Sequence, residues 1–214
     1  MIRVEEYTLE DGSCPYTQWF YGLDTQIAAK VTTYLTRIEE GNTSSLKPLK
    51  GAFQKVVIDW GPGYRVYVGK DGEKLVILLG GEPKGDNKRI LTLPKNFGKN
   101  IKKEKKVNKM AITRDFKETI KNRALKDQEF RKAILTESIE CMLAGDTKTG
   151  KALLRNYINA VVGFERLGQA MDKGSKSLMR MLSDKGNPTA DNYFQIVSFL
   201  QEQEGIHYEL HAVR

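Results

Sequence analysis

Residues 2–9 alternate apolar and polar side chains, the two-residue period of a strand. Over 15–23 the period lengthens. Trp19, Phe20 and Leu23 fall at helical spacing, and Pro15 sits where such a helix would start. Ile27, Val31, Tyr34, Leu35 and Ile38 then predict an apolar stripe along a second helix, closed by Gly41. The two helices read as a hairpin. Strand-like runs return in KVVIDW (55–60), YRVYVG (64–69) and EKLVILLGG (73–81), separated by the turn signals GPG and KDG. The predicted order is one strand, two helices, three strands. Tyr64, Val66 and Val68 fall on one face of their strand, Arg65 and Tyr67 on the other; Lys55, Val57 and Asp59 share a face of the strand before.

Beyond residue 110 the pattern is helical. The stretch 113–127 is rich in charge and predicts an exposed helix. Over 128–146, Phe130, Ala133, Ile134 and Cys141 share a face and Gly145 stops the helix; a third helix is predicted over 147–163. Segments 164–171 and 175–182 flank a short turn containing Gly174, which is helix-turn-helix arithmetic, and Gly168 is the small residue that lets the pair approach. Ser175 reads as the N-cap of the second member. Tyr193, Ile196, Val197 and Leu200 predict a last helix over 189–203, and 206–211 reads as a short strand.

Charge changes the picture next. The chain of 214 residues carries a formal +8. Residues 1–109 hold 19 Lys and Arg against 13 Asp and Glu, so +6 of it lies in that half. This is the balance of a polyanion binder, or of plain solubility. The most basic run, 85–110, is broken by Pro94 and Gly98, which rules out a continuous helix. It reads as a linker or a basic RNA-binding tail. Cys14 and Cys141 show neither ligand spacing nor a disulfide framework, and no metal or cofactor is expected. The two histidines, His207 and His211, exclude an imidazole base in the first half. No run approaches the ~18 apolar residues of a membrane span, and residues 1–12 have no apolar signal core. The expectation is a cytoplasmic protein with no membrane partner.

The stretches PYTQWFYGLD (15–24), AKVTTYLTRIEEGN (29–42) and IDWGPGYRVYVGKDGEKLVILLGG (58–81) resemble the RelE/ParE toxin superfamily, nearest the phage-derived addiction-module killers of the HigB branch. The resemblance covers residues 1–88. It implies a helical hairpin on a small antiparallel-rich sheet, and mRNA cleavage on the ribosome by lysine, arginine and tyrosine in place of a histidine pair. By position in the motif it implies Arg65 as the phosphate-binding arginine, with Lys84 and Lys55 as further catalytic cations and Lys47 and Lys50 on the RNA backbone. Tyr64 reads as core. Relatives often carry arginine where this chain has Val57, which removes one cation from the face.

The stretch SKSLMRMLSDKGNPTADNYFQIVSFLQ (175–201), with most of 110–214, resembles the HigA-like addiction-module antidotes. That implies an all-α antitoxin, dimeric, whose helix-turn-helix (164–182) binds operator DNA through Ser175, Lys176, Ser177, Arg180 and Lys185, with Leu178, Met181 and Leu182 packed inward. Relatives place Gly and an apolar residue where this chain has Asp172 and Lys173. The whole is expected to be an α+β chain: a toxin-like domain over 1–88, a basic linker over 89–109, and an antitoxin beginning at Met110 whose helices over 113–163 contact the toxin within or between chains. A regulator with an inert toxin fold, or a ParE-like gyrase inhibitor, are the alternatives. The toxin helix that relatives carry after the last strand is missing, and a one-nucleotide frame change near Arg89 accounts for both its loss and the fusion; the coding DNA of 89–105 tests this.

Overall fold

The computed structural model describes residues 2–9, 11–49, 53–71, 74–81 and 113–212. Lys50, Lys84, Arg89 and Met110, with the basic run between them, lie outside the described residues. The chain is mixed α+β and divides into two compact units, 1–123 and 124–214.

The first unit is built on strands β1 (Arg3–Tyr7), β2 (Leu46–Pro48), β3 (Phe53–Ile58), β4 (Tyr64–Asp71), β5 (Lys74–Gly81) and β6 (Thr113–Asp115), with helices α1 (Pro15–Tyr21) and α2 (Thr25–Glu39) between β1 and β2. The strands form one sheet in the order β2-β3-β4-β5-β1-β6. β1 is parallel to β5, and the remaining pairs are antiparallel. Pro15 opens α1, and Asp24 caps α2 by accepting from the Gln26 amide at 2.9 Å. The predicted stripe on α2 packs inward: Val31, Leu35 and Ile38 are fully buried. Val4, Val56, Ile58, Val66, Leu75 and Ile77 are likewise buried, on the inner face of the sheet. The pairing of β4 with β5 skips a residue between Tyr67↔Leu79 and Val68↔Ile77. That bulge reverses the alternation, so both Ile77 and Gly80 belong to the inner face. A Cβ on Gly80 would lie 1.8 Å from the Trp19 ring, which explains the glycine at this position: the indole rests directly on its backbone.

Residues 113–123 correct an expectation. Predicted as an exposed charged helix, they form β6 and the start of α3 (Phe116–Lys126), and they complete the first unit. Phe116, Thr119, Ile120 and Arg123 are all buried. β6 pairs antiparallel with β1, setting Arg114 opposite Glu6. The Glu6 side chain is wholly buried. Its Oε2 accepts from Arg114 Nε at 2.9 Å, Thr17 Oγ1 at 2.8 Å, Thr119 Oγ1 at 3.0 Å and Cys14 Sγ at 3.3 Å. Burial pulls the Arg114 guanidinium down, but the Glu6 carboxylate outweighs it and holds the group above its ordinary value. Lys117 Nζ meets the buried Glu39 at 2.8 Å. Arg123 donates to the carbonyls of Phe20 and Leu23 at the end of α1, with its guanidinium 5.3 Å from the Phe20 ring. Phe20 O also accepts from the Leu23 amide at 3.3 Å, so the guanidinium adds to the closure of the helix end. Glu6 is buried and Arg114 about a third exposed, so removing the arginine leaves a buried carboxylate without its counter-ion.

The second unit is helical: α4 (Gln128–Leu143), α5 (Thr147–Tyr157), a π-helical turn (Ile158–Val162), α6 (Phe164–Ala170), α7 (Ser175–Met181) and α8 (Ala190–Glu204). The predicted helix over 147–163 therefore leaves α-helical form at Tyr157, and Gly163, at φ 81, breaks the path before α6. Asp127, Asp146 and Thr189 cap α4, α5 and α8. The predicted apolar set of α8 is buried, as are Phe130, Ile134 and Cys141 of α4. The expected strand over 206–211 does not form: Tyr208 N donates to Gln201 Oε1 at 2.8 Å, and its hydroxyl lies 3.1 Å from Thr136 Oγ1. Glu204, buried at the end of α8, accepts from Arg131 Nε at 2.7 Å and from the Tyr157 hydroxyl.

Gly80→Ala is expected to destabilise the first unit by ~1–3 kcal/mol, because the added methyl would overlap the Trp19 ring and force it to shift; denaturant midpoints measure it. Two carboxylates give the unit opposite acid responses. Burial pushes Glu5 up, but its hydrogen bonds from Lys74 (2.6 Å) and Thr113 (2.6 Å) prevail and hold it below its ordinary value. Its stabilisation is complete above the unfolded pKa and is lost as pH falls through the folded one. Burial holds Glu39 above its ordinary value despite Lys117. Stability is therefore gained as pH falls through the raised Glu39 window, and then lost through the lower Glu5 window. Glu39→Gln removes the first limb of a stability–pH curve and Glu5→Gln the second.

Candidate functional site

The outer face of the first unit's sheet gathers the residues that the sequence singled out. Lys47 pairs with Lys55, and Lys55 with Tyr67, so the three stand in one row across β2, β3 and β4. In the next row Val57 pairs with Arg65, and Arg65 with Gly81. Direct cross-strand neighbours have Cβ atoms ~4.5–5.5 Å apart, so two lysines, an arginine and a tyrosine form one compact patch. Lys47 is exposed, Lys55 and Arg65 are half-buried, and Tyr67 is 5% exposed. Lys47 Nζ donates to Ser44 O at 3.2 Å, and among the described residues neither lysine forms an ion pair. Like charges placed opposite each other repel; an anion laid across the row would relieve that. Tyr64 is buried on the inner side, as its alternation predicted.

Tyr67 is the member that the sequence reading placed on this face but gave no role. Burial pushes its hydroxyl up, and Arg65, hydrogen-bonded to it, draws it part of the way back. It is a protonated donor at neutral pH, held beside a guanidinium. Its position two residues after Arg65 and opposite Lys55 was the available signal. The patch can bind a phosphodiester: Arg65 offers a fork for the phosphate oxygens, the lysines offer point charges, and Tyr67 offers a proton. Val57, beside Arg65, adds no charge.

In the second unit, residues 171–174 join α6 to α7 in a short turn. A Cβ on Gly168 would lie 2.6 Å from Lys173 O, so this glycine admits the turn that follows α6. Asp172 holds φ 50, the left-handed conformation that glycine adopts without cost. Leu167, Leu178 and Leu182 are buried beneath the pair, and Met181 is half-buried. Lys176, Arg180 and Lys185 are exposed, and Ser175 and Ser177 half-exposed. Ser175 is the first helical residue and not the cap: Gly174 occupies that position and supplies no side chain. Within the first turn of α7, Ser177 N donates to Gly174 O at 2.9 Å.

No family model matches this chain, and it matches no curated protein and no solved structure.

Gly168→Ala is expected to open the turn and to lower the stability of the second unit by ~1–3 kcal/mol. Asp172→Gly moves the other way, by up to ~1 kcal/mol. Thermal melts of the two variants measure both.

Proposed function

We propose that this chain is a type II toxin–antitoxin pair joined in one polypeptide. Its first half is a RelE/HigB-like mRNA endoribonuclease whose phosphate-binding face is the Lys47–Lys55–Arg65–Tyr67 patch. Its second half is a HigA-like antitoxin that binds operator DNA through α7, using Ser175, Lys176, Ser177, Arg180 and Lys185. The observation that carries this reading is the seating of 113–123 on the first unit. A segment from the antitoxin-like half supplies the last strand of the sheet, the counter-ions of two buried carboxylates and the donors for the end of α1. A mere linker needs none of these. Binding of one protein by another through strand addition and buried arginine anchors has this form, and the covalent link holds the two at high effective concentration. The activity of the intact chain is accordingly low.

A second reading, a DNA-binding regulator with an inert toxin fold, is favoured by Val57, which stands beside Arg65 where an active relative carries arginine.

One experiment separates them. The full chain is added to an in vitro translation reaction, and mRNA cleavage is mapped for wild type, for Arg114→Ala/Arg123→Ala, and for the same pair with Arg65→Ala. The endoribonuclease reading expects little cleavage by wild type, at least ~100-fold more on release, and its abolition by Arg65→Ala, which removes the phosphate clamp. Translation untouched by a folded release variant supports the regulator.

A further inference from the structure

Lys151, on α5, is a buried lysine outside every motif that the sequence singled out; it is only 6% exposed. Its Nζ donates to three backbone carbonyls: Ser183 O at 3.2 Å, Asp184 O at 3.3 Å, and Gly186 O. An ammonium has three donors, so its capacity is matched. The carbonyls belong to the loop that leaves α7. The other features of that loop are equally constrained. A Cβ on Gly186 would lie 2.2 Å from Met181 O, so the chain turns back hard against the end of α7. Ser183 Oγ donates to Arg180 O at 2.7 Å. Lys148, one turn before Lys151, meets Asp184 Oδ1 at 3.5 Å. Two of the three carbonyls held by Lys151, those of Asp184 and Gly186, flank Lys185, whose own side chain is exposed.

Burying an ammonium is costly, and a buried cation is weak evidence for stability alone. Here it restrains the backbone on both sides of a surface lysine. We propose that Lys151 is a positioning residue for DNA binding: it fixes the loop after α7 so that Lys185 meets a backbone phosphate. The proposal rests on the reading of α6 and α7 as a DNA-binding helix-turn-helix. Lys151 is too buried to reach DNA itself, so its whole effect passes through Lys185.

The test is a double-mutant cycle in the full chain, with folding checked by circular dichroism. The probe is a fluorescent duplex from immediately upstream of the chain's own reading frame, with a scrambled duplex as reference. Affinity is measured across salt concentrations. Lys185→Ala and Lys151→Met are each expected to lower affinity about tenfold, and to flatten the slope of log K against log salt by about 0.9, the signature of one lost phosphate contact. The double variant falls no further than either single one, because the two residues act as a unit. Lys151→Gln, shorter and uncharged, is expected to lose at least about threefold and carries the test if the methionine variant does not fold. Multiplying losses in the double variant overturn the proposal, as does wild-type affinity in a folded Lys151→Met or Lys151→Gln chain. If wild type binds neither duplex in a salt-dependent way, the DNA-binding reading fails and the proposal with it.

Discussion

A carboxylate with no access to water is the constraint around which the first unit is arranged. Glu6 sits on the inner face of β1, where its neighbours in the strand pattern are apolar, and it needs a cation. Arg114 supplies it from β6, far along the chain. That pairing fixes the register of β6 on β1, and the register in turn sets the phase of α3. Thr119 then reaches the same carboxylate, Lys117 reaches Glu39, and Arg123 reaches the end of α1. Phe116 and Ile120 fill the space that this phase leaves beneath the helix. The boundary between compact units therefore falls after Arg123, well past the change in sequence character near residue 110.

The local elements were legible because their signals are local. Hairpin turns, the stripe on α2, the short turn between α6 and α7 and the apolar face of α8 all appear within windows of a turn or two. What the sequence concealed depended on distant partners. The 113–127 stretch reads as solvent-exposed because six of its first eleven residues are charged, yet three of those charges are anchors against groups over 70 residues away. Glu6 falls on the Val4 face of an alternating strand, but the cation that meets it there, Arg114, lies 108 residues away. Short β2 escaped because three residues carry too little pattern. Lys151 looks like one more surface lysine until the loop after α7 folds back upon it. The alternation of β4 correctly put Arg65 and Tyr67 together, but only pairing with β3 shows that Lys55 joins them.

The two nucleic-acid faces of the proposed function rest on different mechanics. On the sheet, the spacing of Lys47, Lys55, Tyr67 and Arg65 is set by backbone pairing, so the pattern of charge is as rigid as the strands themselves. At the helix-turn-helix, the cations lie on a two-turn helix and the loop behind it, elements with few hydrogen bonds of their own. Their geometry is imposed from beneath by leucines, by a glycine contact and by a buried ammonium. Rigid spacing suits chemistry on a phosphodiester, and a supported loop suits tracking of a duplex backbone.

The place of β6 at the rim of the sheet carries a practical meaning for the first half as a separate molecule. Detached from residues 113–115, β1 would present its hydrogen-bonding edge to solvent, with an unpaired acid just behind it. Such an edge is a template for another strand, and a fragment ending before residue 113 would seek one from any neighbour, its own copies included. Covering that edge protects the first half from self-association; under the proposed function the same strand also restrains it, so solubility and restraint could not then be altered independently at this position.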